Sequence, residues 1–134
     1  PARGEVGDDG AVALAHALSY NRSLTHLDLS ENGVGAELHF RDESESSGIG
    51  CVGATALASS LGHNTTLRSL DLASCEIGDE GACALAACLR NANMGGENCC
   101  GLVELDLRCN QLSSAAKLQL SALTECREEL TIRL

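Results

Sequence analysis

The 134-residue chain predicts an α/β fold of stacked strand–turn–helix units, and three observations predict it. Leucines recur as L-x-x-L-x-L at Leu24-Leu27-Leu29, Leu67-Leu70-Leu72 and Leu102-Leu105-Leu107, followed in turn by Asn32, Cys75 or Asn110 and by Val34, Ile77 or Leu112. Behind Ile77 the apolar period lengthens, with Gly81, Leu85 and Leu89 four apart. The units also share a 28-residue spacing once two insertions are set aside. One such unit cannot bury its apolar face, whereas stacked copies can.

Within L-x-L the two leucines share one face of a strand, because side chains alternate with period two. Strands are therefore predicted over Leu24–Ser30, Leu67–Ala73 and Leu102–Arg108. Spacing by four places Gly81, Leu85 and Leu89 on one helical stripe, flanked by Ala82 and Ala86, which let the helix lie close to the sheet. Asp79 and Glu80 fall in the first turn, where the helix dipole favours carboxylates. Helices are predicted over 8–20, 51–62, 79–91 and 114–126.

Taken in order, residues 1–5 are irregular and hold Pro1. Val6-Gly7-Asp8-Asp9-Gly10-Ala11 repeats the pattern of Ile77-Gly78-Asp79-Glu80-Gly81-Ala82, and Leu14 and Leu18 match Leu85 and Leu89. The chain thus enters in mid-unit. It is expected to be a piece of a longer array, with a helix serving as N-terminal cap as the alternative.

The second unit is interrupted by AELHFRDESESSGIG, after which the pattern resumes at Ile49. Removing that 15-residue insertion reduces the Leu24-to-Leu67 spacing from 43 to 28. A second insertion, near 93–100, stretches the Leu67-to-Leu102 spacing to 35. Insertions in repeats go to surface loops. The first, near 35–48, is read as a solvated loop or as a contact loop phosphorylated at Ser44 and Ser46, each of which precedes an acid. Its deletion over 36–47 is expected to leave stability nearly intact unless Phe40 packs into the core.

In the fourth unit Leu118, Leu120, Leu123 and Cys126 replace the Gly-Ala pattern among many polar residues. Residues 112–134 are therefore expected to be a C-terminal capping unit, with a final strand within 130–134 whose register the 28-residue period leaves open. The whole is one domain, 1–134, of about 3.5–4.5 repeats.

Composition narrows the function. Net charge is −10, with no basic cluster able to track phosphates, so nucleic acid and an anionic membrane surface are not expected partners. No apolar run approaches the roughly 18 residues of a membrane span, and no signal peptide is visible. Ser/His/Asp constellations, a Gly-rich phosphate loop with Lys and a metal-ligand cluster are all missing from the pattern, so no enzyme, cofactor or metal is expected.

Eight cysteines raise the question of disulfides or zinc. No C-x-x-C pair is present, Cys99 and Cys100 are vicinal, and His16, His26, His39 and His63 are scattered. Small buried thiols in a reducing compartment fit best. Asn21-Arg22-Ser23 and Asn64-Thr65-Thr66 have the form of glycosylation acceptors, but both stand three residues before a strand leucine. A repeat constraint explains both at once.

The unit LxxLxLxxN/CxIGxxGAxALAxxLxxN resembles the ribonuclease-inhibitor-like subclass of leucine-rich repeats, which includes ribonuclease inhibitor, NOD-like receptors and the Ran GTPase-activating protein. The resemblance covers residues 6 to about 126. It implies a right-handed leucine-rich-repeat solenoid, a horseshoe segment with a parallel sheet on the concave face and helices on the convex face. It implies an intracellular, cytoplasmic, non-catalytic protein-recognition module. The alternative is a fragment of an enzyme-directed regulator of the inhibitor or GTPase-activating type, although nothing singles out Arg22, Arg41, Arg68 or Arg108 as a catalytic arginine.

Two residue sets follow from the strand pattern. Asn32, Cys75 and Asn110 fall where the chain leaves each strand and should satisfy inward-facing backbone groups as a structural ladder. The residues alternating with the leucines form rows on the inner face: His26, Ser69 and Glu104; Asp28, Asp71 and Asp106; Ser30, Ala73 and Arg108. The three aspartates should make a ladder of like charge, and the expected ligand is a protein with a basic patch.

Overall fold

A computed structural model describes residues 6–32, 49–91 and 100–134. In chain order the elements are α1 (Asp8–Tyr20), β1 (His26–Asp28), α2 (Cys51–Leu61), β2 (Ser69–Asp71), α3 (Asp79–Asn91), β3 (Glu104–Asp106), α4 (Ser114–Cys126) and β4 (Thr131–Arg133). The four strands form one parallel sheet in the order β1-β2-β3-β4, with helices as the crossovers. This is the right-handed leucine-rich-repeat solenoid expected from the sequence. Adjacent strands stand about 4.8 Å apart while packed helices need about 8–10 Å, so the sheet takes the concave side. Both insertions, with Phe40, Ser44 and Ser46, lie outside the described residues, apart from Ile49, Gly50 and Cys100.

The helices run where the apolar spacing places them, α2 ending one residue early at Leu61. The regular strands are only three residues long, shorter than the leucine pattern suggests. Their hydrogen bonding continues beyond them: Leu29 N donates to Asp71 O at 2.9 Å, Glu31 N to Ala73 O at 2.8 Å and Ser74 N to Arg108 O at 2.9 Å. The core is the layer between sheet and helices, where Leu67, Leu70, Leu72, Leu85, Leu89, Leu102, Leu105 and Leu107 are almost wholly buried. Leu24 is 37% exposed and Leu27 half-buried, because β1 has a sheet neighbour on one side alone.

Glycine sets the helix spacing. A Cβ on Gly81 would stand 2.9 Å from the Ala54 Cβ, and one on Gly53 would stand 2.8 Å from the Ala11 Cβ. The small residues of the Gly-Ala pattern thus touch helix to helix as well as helix to sheet. The first-turn aspartates have a role beyond the helix dipole. The Asp8 Oδ1 accepts from Gly50 N at 3.0 Å and Gly53 N at 2.7 Å, so a residue of α1 caps α2. Asp79 does likewise for the next unit, accepting from Ser113 N at 2.8 Å. The equivalent residue of α2 is Cys51, which has no carboxylate to offer.

Candidate functional site

β1, β2 and β3 leave the sheet through the same turn. Glu31, Ser74 and Cys109 occupy equivalent places and all have positive φ, at 64°, 55° and 58°. This left-handed residue carries the chain inward and strands backbone groups away from the ladder. The next residue collects them. The Asn110 Oδ1 accepts from Cys75 N at 3.0 Å and Ile77 N at 2.9 Å, while its Nδ2 donates to Leu72 O at 2.8 Å and Leu107 O at 3.0 Å. Asn32 accepts from Val6 N at 2.7 Å and donates to Leu29 O at 2.7 Å. Cys75 makes a weaker version, its Sγ donating to Leu29 O at 3.0 Å, and burial pushes its thiol up to about 11. The three side chains tie each unit to the one before it.

A second ladder runs along the opposite side. The Asn64 side chain is buried; its Nδ2 donates to Leu18 O at 2.7 Å and Asn21 O at 3.0 Å, and its Oδ1 accepts from Leu67 N at 2.8 Å. Asn21 accepts from Leu24 N at 2.7 Å in the same way. The Asn-x-Ser/Thr triplets are thus turn-closing devices, and an Asn64 amide engaged in this way has no room for a sugar.

On the concave face, the register pairs His26 with Ser69 and Glu104, and Asp28 with Asp71 and Asp106. β4 completes the rows with Thr131 and Arg133, so the aspartate column ends on a cation. His26, Asp28 and Arg108 are exposed, Ser30, Ser69, Asp71, Ala73 and Glu104 are half-buried, and Asp106 is buried.

Each aspartate accepts from the amide two residues on: Asp28 from Ser30 at 2.9 Å, Asp71 from Ala73 at 2.9 Å and Asp106 from Arg108 at 3.0 Å. The repetition of Asp therefore has a local cause in holding the strand-exit turn. The Ser30 hydroxyl and amide hold the Asp28 carboxyl below the usual carboxylate range. Asp106 is held low above all by the Arg108 side chain, whose Nη2 and Nε reach its carboxylate at 2.6–3.1 Å. Arg133 also pairs with Glu104 at 3.2 Å. Sequence reasoning placed Arg108 in the neighbouring row and missed both pairings: a bond between residues i and i+2 across a turn leaves no periodic mark, and Arg133 could not be set beside Glu104 without the register of the last strand.

The face is therefore graded. Near β1 and β2, Asp28 and Asp71 carry negative charge with neutral partners; near β3 and β4, Asp106 and Glu104 stand against Arg108 and Arg133. Among the described residues no group of three or more His, Cys, Asp or Glu side chains could hold a metal ion. No described helix is long and apolar enough to cross a membrane.

Comparison with known proteins agrees with this architecture. The family model described as Leucine Rich repeat matches residues 20–37 and 63–86, spans that contain β1 and β2. Among solved structures the chain is similar to leiomodin-1 actin-binding site 2, with a TM-score of 0.66 and 18% identity over 98% of this chain and 68% of that one. No curated protein sequence matches. The fold is that of a leucine-rich repeat protein, and at 18% identity the structural likeness carries the fold alone.

Proposed function

We propose that this chain is a non-catalytic protein-interaction module of the ribonuclease-inhibitor-like kind, working inside the cell and binding a protein partner through its concave strand face. The observation that supports it most directly is the in-register column Asp28-Asp71-Asp106-Arg133. A column with charge of one sign at one end and ion pairs at the other can orient a partner as well as attract it. The partner would place a basic patch over Asp28 and Asp71, with polar or acidic groups toward Arg108 and Arg133.

The likeness to the leiomodin-1 fragment is compatible with this reading, since that fragment is named for its binding of a protein, actin. An intracellular setting accords with the seven described cysteines, all of which are free thiols. The insertions near 35–48 and 93–100 are further candidates for contact with the partner.

Asp71→Asn tests the proposal, because the amide oxygen can still accept from Ala73 N while the charge is lost. Wild-type and Asp71→Asn chains would be immobilised and challenged with cell lysate at low salt and at about 0.5 M salt, where the Debye length falls to roughly 4 Å. Proteins retained by wild type at low salt should be lost on raising salt and weakened by Asp71→Asn, mainly through slower association. Retention insensitive to both would move the site to the insertions or the helical face.

A further inference from the structure

Cys88 and Cys100 come together behind the sheet. Cys88 lies in the last turns of α3, and Cys100 opens the segment leading into β3. Although the repeat spacing assigns Cys100 to the end of the second insertion, it is 3% exposed and packed in the core. Both side chains line one open cavity of about 370 Å³, shared with Ser59, Ala84 and Asn91. Each thiol is the other's hydrogen-bond partner.

Two arginines reach the same segment from either side. The Arg68 Nη1 donates to Gly101 O at 2.7 Å, and the Arg127 Nη2 donates to Leu102 O at 3.1 Å. The Arg127 Nη1 is buried without a hydrogen-bond partner. A cation with an unused buried donor favours an anion beside it. Cys100 can supply that anion. Donation from Cys88 holds its thiol below the ordinary value, helped by Leu102 N and by the charges of Arg127 and Arg68, while the same bond and burial push Cys88 up.

We propose that Cys88 and Cys100 form a peroxide-oxidisable dithiol, closing reversibly to a disulfide that ties the end of α3 to the approach of β3. The oxidant is hydrogen peroxide, small enough to reach Cys100 through the cavity. The Cys100 thiolate attacks one peroxide oxygen, the O–O bond breaks, and hydroxide leaves with the electron pair and takes a proton to become water. Cys100 is then a sulfenic acid. The Cys88 thiol gives up its proton, its sulfur attacks the Cys100 sulfur, and the departing hydroxide takes that proton as a second water. Two thiols have been oxidised by two electrons and one peroxide reduced. Cys88 is the resolving thiol because its hydrogen bond already places it on the reacting sulfur.

The reduced full chain would be treated with a small excess of hydrogen peroxide, alkylated and mapped by non-reducing peptide mass spectrometry. The expected product is a Cys88–Cys100 cross-link formed ahead of any other and removed by dithiothreitol. Cys88→Ser should leave Cys100 as a sulfenic acid that dimedone traps. Cys100→Ser should abolish the cross-link and slow peroxide consumption by about tenfold or more, with circular dichroism confirming that both variants fold. A first cross-link joining Cys88 to any other cysteine, or wild-type peroxide consumption in folded Cys100→Ser, overturns the proposal.

Discussion

Arg108 folds back over Asp106, two residues before it, and holds both of its carboxylate oxygens at 2.6–3.1 Å. The acid is 8% exposed at its side chain and the base 53%. The charge at this end of the aspartate column is therefore neutralised from within its own turn. The column's net negative charge lies toward Asp28 and Asp71.

Arg108→Ala should lower stability at neutral pH only slightly, because the guanidinium is half-exposed and screened. The pH dependence has a definite sign. Arg108 holds the Asp106 carboxyl below its ordinary value, so its contribution is complete above the unfolded-state value of about 3.9 and is lost as pH falls through the lower folded value. Denaturation curves of wild type and variant should accordingly converge in acid. A gap that stays constant down to pH 2 would assign the loss to packing of the arginine stem.

Asn110→Ala should cost about 2–4 kcal/mol, since it leaves Cys75 N, Ile77 N and Leu72 O without their side-chain partner in a half-buried turn. Cys75→Ala at the equivalent place should cost less, about 1–2 kcal/mol, because sulfur makes weaker bonds there. Urea denaturation of the two variants under reducing conditions measures both. Equal losses would mean that volume, and not backbone satisfaction, decides the column.

Cys51→Asp should raise stability by about 0.5–1 kcal/mol by giving α3 the cap that Asp8 gives α2. The Cys51 Sγ already stands 3.6 Å from the Cβ position of Gly78, the residue before α3. The reciprocal change, Asp79→Ala, should lower stability by removing the acceptor of Ser113 N at the start of α4. Thermal unfolding of the pair checks both signs at once.

Gly81→Ala should destabilise by about 1–3 kcal/mol through contact with Ala54, even though alanine is the better helix former by about 1 kcal/mol. A rise in melting temperature would show that α2 and α3 can separate without loss.

The fold was legible because it rests on periodicities. Period two in L-x-L fixed which leucines enter the core, and period four behind Ile77 located the helices to within a residue. The Asn/Cys column and the aspartate column were legible for the same reason. What remained hidden was whatever depends on a single turn or on contact between units. The left-handed residues Glu31, Ser74 and Cys109 share no chemistry that marks such a conformation, since none is Gly or Asn. Asp8 and Asp79 could be placed in a first turn, but their action on the following helix requires the stacking distance. Arg133 could not be set at the end of the aspartate column until the last strand had a register. Cys88 and Cys100 are twelve residues apart, and no period marks Cys100 as a core residue lining the same cavity as α3.

The dimensions of the sheet constrain recognition. Four strands at about 4.8 Å spacing make a strip roughly 14 Å wide, and three residues per strand make it about 10 Å long. That is the breadth of a single helix with its side chains. Its area, on the order of 140 Å², is about a sixth of what one side of a standard interface contributes. A partner seated here touches the concave strip with one structural element at most. Durable binding then requires that most of its footprint fall on surfaces bordering the strip, which leaves the charged column to select and orient.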